Sequence, residues 1–171
     1  MRRYKLRDQN GITLVEIIIV IAIVGILAST SVMMIGHLHY ANTQKVVSAL
    51  DSSLDKLQVT NMSKTGRYTM YVYKLSDGYY CRILADKTFD SSQLSSDGTK
   101  LCNNSITIKG CSGNPVVEKE VGDSGYMIKI SYTKAALFDT AVTNVDSISI
   151  DGVPKYSLKL VKDTGKHFVK Q

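Results

Sequence analysis

The sequence predicts an α+β protein in which a long N-terminal helix packs against a C-terminal domain of antiparallel β-sheet. Three observations carry this prediction: an apolar run over residues 12–35, a one-sided apolar stripe over residues 36–61, and β-type patterning over residues 62–171. The 171 residues are 44% hydrophobic and 21% charged, which suits one folded domain with an appendage and excludes wholesale disorder.

The apolar run carries one charged side chain, Glu16. As a helix the run would be about 36 Å long, enough to cross a hydrocarbon core of ~30 Å. Residues 1–11 precede it with four basic side chains and one acidic one. Because basic flanks stay in the cytoplasm, we expect a single-pass segment with everything after residue 35 on the far side of the membrane.

Glu16 decides between several kinds of export signal. An ordinary secretory signal cleaved near residues 29–31 and an uncleaved membrane anchor would both fit the apolar run. Neither explains a carboxylate within a membrane segment, which costs about 2.5–3.5 kcal/mol at a helix centre and usually has a partner.

The string GITLVE at residues 11–16, behind a short basic leader, resembles the class III signal of type IV prepilins and pseudopilins. The resemblance implies that residues 1–11 are a cytoplasmic leader, cut by a prepilin peptidase between Gly11 and Ile12. It also implies N-methylation of Ile12. The proline that interrupts the apolar helix of many major pilins is absent, which keeps minor pilins and pseudopilins open.

The chemistry of this motif can be argued from the residues as well. Glycine lets a protease approach the backbone closely. A cut after Gly11 leaves the apolar run on the mature protein, and the new α-amine of Ile12 is a cation that methylation keeps charged. Glu16 is its natural counter-charge, within one subunit or between neighbours, and we expect it to set the register of assembly.

The helix is predicted to continue beyond the apolar run, from about Thr13 to about Thr60, because no proline interrupts residues 12–61. Two helices separated near Gly36 are the alternative. The amphipathic stripe has spacings of three and four residues. It consists of Val47, Leu50, Leu54 and Leu57.

The head, residues 62–171, is predicted to be rich in strands that alternate apolar and polar side chains. Asp77-Gly78 and Asp151-Gly152 predict two hairpins. Residues 134–141 are compatible with a short helix or a loop, and residues 86–100 predict a surface loop. The strands are predicted at residues 67–75, 79–85, 105–109, 126–132, 145–150 and 155–161.

Three cysteines, Cys81, Cys102 and Cys111, lie in the exported part, where one disulfide at most can form within the chain. A Cys102–Cys111 bridge is slightly favoured over Cys81–Cys102, and three reduced thiols are the other possibility. No metal site or cofactor is predicted, because His37 and His39 point to different sides of a helix.

The predicted function is a structural, non-enzymatic subunit of a type IV pilus-like filament. The subunit is expected to lie in the cell membrane before assembly and in a cell-surface filament afterwards, with the head on the outside of the filament. A pseudopilin of type II secretion or of a competence DNA-uptake machine is one alternative, and an ordinary secreted or anchored binding protein is another. The resemblance implies other pilin-like subunits, a prepilin peptidase, an assembly ATPase and platform machinery as partners. Nucleic-acid binding is not expected, because the net charge of +6 falls to +3 without residues 1–11.

Overall fold

A computed structural model describes residues 12–86 and 91–171, apart from the side chains of residues 30–37 and 91. The predicted leader, residues 1–11 with Gly11, and the side chain of His37 lie outside the described residues. The chain divides into two compact units, which meet in sequence between Leu38 and His39. A helix, α1, runs over Leu14–Ser63, so the prediction of one helix is confirmed and the alternative of two helices is wrong.

The start of α1 is set by Thr13. Its hydroxyl oxygen accepts a hydrogen bond from the backbone N–H of Glu16 at 3.2 Å, which satisfies one of the donors that a helix N-terminus leaves free. Thr13 and Glu16 thus occupy the two end positions of a capping box, a threonine followed three residues later by a glutamate.

The end of α1 is set by the head. Lys134 Nζ donates to the backbone oxygen of Asn61 at 2.7 Å and also to that of Lys64. A lysine ammonium at this position satisfies free carbonyl groups and complements the negative end of the helix dipole.

Within the described residues, the second unit contains residues 39–63 of α1 and nine strands. This unit, residues 39–171, includes the predicted head and is called the head from here on. In chain order the strands are β1 (Tyr68–Leu75), β2 (Gly78–Ala85), β3 (Thr99–Cys102), β4 (Thr107–Ser112), β5 (Val117–Glu120), β6 (Ile128–Ser131), β7 (Ser147–Asp151), β8 (Tyr156–Val161) and β9 (Lys166–Lys170). All neighbouring strands are antiparallel, and they form two sheets with the orders β3-β2-β1-β6 and β5-β4-β7-β8-β9. The predicted α+β class is confirmed.

One main core joins α1 to both sheets. The predicted stripe on α1 is buried, and Leu50, Leu54 and Leu57 have no exposed surface. It packs with Met70 and Val72 from the first sheet. The residues from the second sheet in this core are Ile108, Ile148, Ile150, Leu158 and Leu160.

The two predicted hairpins are confirmed, with a shift of one residue in the first. Leu75 pairs with Gly78, so Ser76 and Asp77 form the turn and Gly78 begins β2. Gly78 has a φ of +146°, and a Cβ there would lie 2.1 Å from the carbonyl oxygen of Cys102. A glycine is therefore required at this position both by conformation and by space.

The second hairpin brings its turn against α1. A Cβ at Gly152 would lie 2.2 Å from the Thr43 hydroxyl, and the N–H of Val153 donates to that hydroxyl at 3.2 Å. Thr43 itself is fully buried and donates to the backbone oxygen of His39 at 2.9 Å. The β7–β8 turn is thus positioned on the helix by one hydroxyl.

The structure decides between a helix and a loop for residues 134–141, and it describes most of the predicted loop at residues 86–100. Residues 134–141 form turns with a single bridge between Tyr132 and Phe138, so they are not helical. Of the predicted loop at residues 86–100, positions 87–90 lie outside the described residues, and the rest includes a 3-10 turn at Ser91–Gln93 and the start of β3. The Tyr73 hydroxyl donates to the backbone oxygen of Ser95 at 2.7 Å, so this loop covers part of the first sheet.

Candidate assembly segment and functional site

The predicted assembly segment begins with residues 12–29, and all of their side chains are exposed. The exposed fractions are 72% for Ile12, 65% for Ile21 and 61% for Leu27. Exposed isoleucine, valine and leucine occur on every side of the helix, which distinguishes this segment from the one-sided stripe of residues 46–57. An apolar surface of this extent marks a site of contact with lipid or with protein.

Glu16 is the acidic group of this segment. It lies in a shallow groove together with Ile12, Ile17, Val20 and Ile21. None of the ion pairs formed by the described residues involves its carboxylate. Ile12 precedes the helix by two residues and still lines the same groove, so the structure brings the predicted methylation site and the predicted register residue together. Gly11, the other residue of the predicted cleavage site, lies outside the described residues.

Sequence reasoning missed the local structural role of Glu16. Its backbone N–H is capped by Thr13, at the position where an acidic side chain also complements the positive end of the helix dipole. The signal was present in the sequence, as a threonine three residues ahead of a glutamate. Glu16 therefore favours the start of α1 whether or not it meets a charge on another subunit.

Among the described residues, none of the helices combines the length and the apolarity that crossing a lipid bilayer requires.

The cysteines are free thiols in this structure. Cys102 is at the end of β3 in the first sheet and Cys111 is in β4 of the second, so the favoured bridge between them is not formed. The Cys102 thiol instead lies 3.9 Å from the backbone oxygen of Ile106. Burial raises the pKa of Cys81 to about 12 and that of Cys102 to about 11, so both stay protonated near neutral pH.

One further cluster lies in the head, where α1 meets β9. Asp51, Asp55 and His167 place one possible ligand atom each within 4.8 Å of one another. No sequence signal pointed to this set, because His167 is more than 100 residues from the two aspartates along the chain.

Comparison with known proteins supports the interpretation of the N-terminus. The prokaryotic N-terminal methylation motif matches residues 6–32, a range that contains the predicted cleavage site and most of the apolar run. The type II secretion system core protein G of Klebsiella michiganensis is 34% identical over 142 residues, which cover 72% of this chain and 96% of that protein. The chain belongs to the prepilin and pseudopilin family.

Family membership makes this chain a pilin-like filament subunit. It implies a precursor that is cut by a peptidase, a stage as a membrane-anchored subunit, and polymerisation with pilin-like subunits. The match to nearly the whole length of the relative extends the likeness beyond the N-terminal motif into the head. No solved structure matches this pilin-like chain.

Proposed function

We propose that this chain is a subunit of a secretion pseudopilus. Residues 12–35 anchor it in the membrane before assembly, and the same residues form the core of the filament afterwards. The observation that carries the proposal is the exposure of apolar side chains all round residues 12–29. Contact of such a surface with water is unfavourable by about 25 cal/mol per Å². Lipid and neighbouring copies of the same helix both bury this apolar surface, so a subunit can move from the bilayer into the filament without exposing it to water.

The proposed processing is a cut between Gly11 and Ile12, followed by methylation of Ile12. The methylation motif match supports it, because residues 6–32 include both positions. The cut removes all four basic side chains of residues 1–11, which would resist withdrawal from the cytoplasmic face. The proposed topology has the N-terminus in the cytoplasm and the head outside.

The proposed role of Glu16 is to pair with the α-amine of Ile12 on a neighbouring subunit. The surroundings of its carboxylate, with Ile17, Val20 and Ile21, are apolar. Once this groove is covered by another helix, an unpaired carboxylate would be strongly destabilised, and a paired one would not. Axial registers that bring the two charges together are therefore favoured over the others.

The head has no catalytic role in this proposal. It coats the outside of the filament, and a cytoplasmic ATPase with its membrane platform supplies the work of extraction. Contacts between successive subunits are heterologous and do not close into a ring, which generates a helical filament.

The type II secretion machine is preferred to a type IV pilus or a DNA-uptake machine because of the relative. That relative is named as a core protein of the secretion system, and 96% of its length is matched. Deletion of this chain in its native host tests the choice. Loss of secreted proteins, with DNA uptake and surface fibres unchanged, supports the proposal, whereas loss of abundant surface fibres with secretion unchanged contradicts it.

Mass spectrometry of the mature N-terminus tests the processing. A chain that begins at methylated Ile12 supports the proposal. A start after residues 29–31 indicates an ordinary secretory signal, and an intact Met1 indicates an uncleaved anchor; either result contradicts the proposal.

Variants at Glu16 test the pairing. Glu16→Gln keeps the shape of the side chain and removes its charge, so we expect a normally cut subunit that is recovered in assembled pseudopili at about a tenth of the wild-type level or less. Glu16→Asp keeps the charge and should retain part of the assembly. Ser29→Ala is the matched control, since the Ser29 hydroxyl is exposed on the same helix and donates only to the Ile26 carbonyl. Normal incorporation of Glu16→Gln would remove the proposed role of the charge.

A further inference from the structure

The cluster of Asp51, Asp55 and His167, called the head cluster below, joins the two ends of the head. The aspartates are four residues apart on α1, so their side chains share one face of the helix. His167 comes from β9, the edge strand of the second sheet. Its Nε2 lies 3.1 Å from Asp51 Oδ1 and 3.6 Å from Asp55 Oδ1.

We infer that the head cluster is a binding site for a divalent transition-metal ion, with Zn²⁺ as the best fit. Donor atoms that bind one Zn²⁺ tetrahedrally at about 2.0–2.2 Å lie about 3.3–3.6 Å from each other. The two distances from His167 Nε2, 3.1 and 3.6 Å, are close to this spacing. All three ligand atoms lie within 4.8 Å of one another, and the Asp55 side chain is 67% exposed, which leaves it room to turn toward an ion.

The imidazole of His167 is held in a suitable orientation. Its side chain is only 9% exposed, and its Nδ1 lies 3.4 Å from the hydroxyl of Tyr132. Tyr132 is itself 1% exposed and belongs to the main core, so its ring and hydroxyl are held in place. In the tautomer whose Nδ1–H donates to the Tyr132 oxygen, Nε2 is unprotonated and directed at the two carboxylates; a ring N–H donated in this way is the usual second-shell arrangement of a metal-binding histidine.

The backbone that precedes His167 is also held against α1. The side-chain amide of Gln58 donates to the backbone oxygens of Ala136 at 3.1 Å and of Gly165 at 3.4 Å. Gly165 has a φ of +65°, and a Cβ there would lie 1.8 Å from the Ala136 oxygen. The turn into β9 is therefore fixed from both sides, and little ordering remains for a bound ion to impose.

A simple histidine–aspartate pair does not explain the second carboxylate. Two carboxylates at i and i+4 repel each other, and His167 is the only basic side chain within ion-pair distance of either among the described residues. A divalent cation would neutralise both. One imidazole nitrogen with two carboxylates suits Zn²⁺ or Co²⁺ better than Ca²⁺, which prefers oxygen ligands alone. The bound ion would connect β9 to α1 on the outside of the head.

Zinc titration of the full-length chain in detergent micelles, after removal of metal with a chelator, tests the inference. We expect one Zn²⁺ per chain by calorimetry, and Co²⁺ should give a visible absorption band that Zn²⁺ displaces. Asp55→Asn and His167→Gln should each weaken Zn²⁺ binding by about tenfold or more. Tyr132→Phe, which keeps all three ligands, should weaken it by a smaller factor.

The matched controls are His39→Gln and Asp163→Asn, which remove an exposed histidine and an exposed aspartate outside the head cluster. Both should bind Zn²⁺ as the wild type does. Circular dichroism shows whether His167→Gln is folded, and Asp55→Asn provides a test without that concern because Asp55 is 67% exposed. No Zn²⁺ binding by the wild type, or equal binding by wild type and Asp55→Asn, would overturn the inference. Neither result depends on filament assembly, so the proposed function is tested separately.

Discussion

Asn61 connects the end of α1 to the first strand of the head, and its replacement by alanine should destabilise the head strongly. The side chain is 1% exposed. Its amide nitrogen donates to the Tyr68 carbonyl at 2.8 Å, and its oxygen accepts from the Tyr68 N–H at 2.8 Å. Asn61 thus pairs with the backbone of β1 as a neighbouring strand would.

The magnitude follows from which group loses its partner. In Asn61→Ala the Tyr68 carbonyl still accepts from the Ser131 hydroxyl at 2.8 Å, so only the Tyr68 N–H is left without a partner. One unsatisfied buried donor costs about 1–3 kcal/mol, and the second hydrogen bond adds about 1 kcal/mol. We expect the free energy of unfolding to fall by about 2–4 kcal/mol.

Urea unfolding of the full-length chain in detergent provides the assay, followed by the fluorescence of its 10 tyrosines, since the chain has no tryptophan. For a urea dependence of about 2 kcal/mol per M, the middle of the usual range, the midpoint should fall by about 1–2 M. Ser63→Ala is the control, because the Ser63 hydroxyl is exposed and bonds only within the last turn of α1. If Asn61→Ala shifts the midpoint no further than Ser63→Ala, the strand-like pairing contributes nothing and the reasoning is refuted.

Three further predictions concern the head. Leu54→Ala should lower the free energy of unfolding by about 2–5 kcal/mol in the same assay, because Leu54 is fully buried. The control Val59→Ala, at a position that is 63% exposed, should change it by less than about 0.5 kcal/mol. The hydrogen bond from Lys109 holds the pKa of the Asp151 carboxyl below its usual value. The charged carboxylate therefore stabilises the head fully above the pKa of an unfolded aspartate, about 4, and this contribution is lost as the pH falls through the lowered pKa. Melting temperatures of wild type and Asp151→Asn should accordingly differ at pH 7 and draw together as the pH falls through the lowered pKa; a constant difference would contradict this. The Cys81 thiol, with a pKa of about 12, should resist iodoacetamide at pH 8 until urea unfolds the head, and rapid labelling of the folded protein would show that it is accessible.

The elements predicted correctly are those with a strong local pattern. The stripe that includes Leu50 and Leu54 repeats with the period of a helix, and its burial follows wherever a sheet is available to cover it. The first hairpin was predicted from two apolar runs joined by a turn, and only its turn residues were displaced by one. In both cases the determining residues are near neighbours in the chain.

Three strands, β3, β5 and β9, were not predicted from the sequence, and the last two have no such pattern. β5 has the sequence VEKE, and its side chains are mostly exposed. β9 has the sequence KHFVK and lies at the edge of its sheet, where only one neighbour pairs with it. Pairing with strands already present, rather than the burial of an alternating face, determines these two strands.

The sequence by itself determined the apolar segment with its lone Glu16, the capping threonine, the helix and the main hairpins, because each of these depends on residues within a turn or two of one another. Only the tertiary structure decided that the strands form two sheets, that Cys102 and Cys111 lie apart, and that His167 reaches the two aspartates of α1. Those contacts join residues far apart in the chain, and the packing of the whole head selects them from many pairings that the local patterns allow equally.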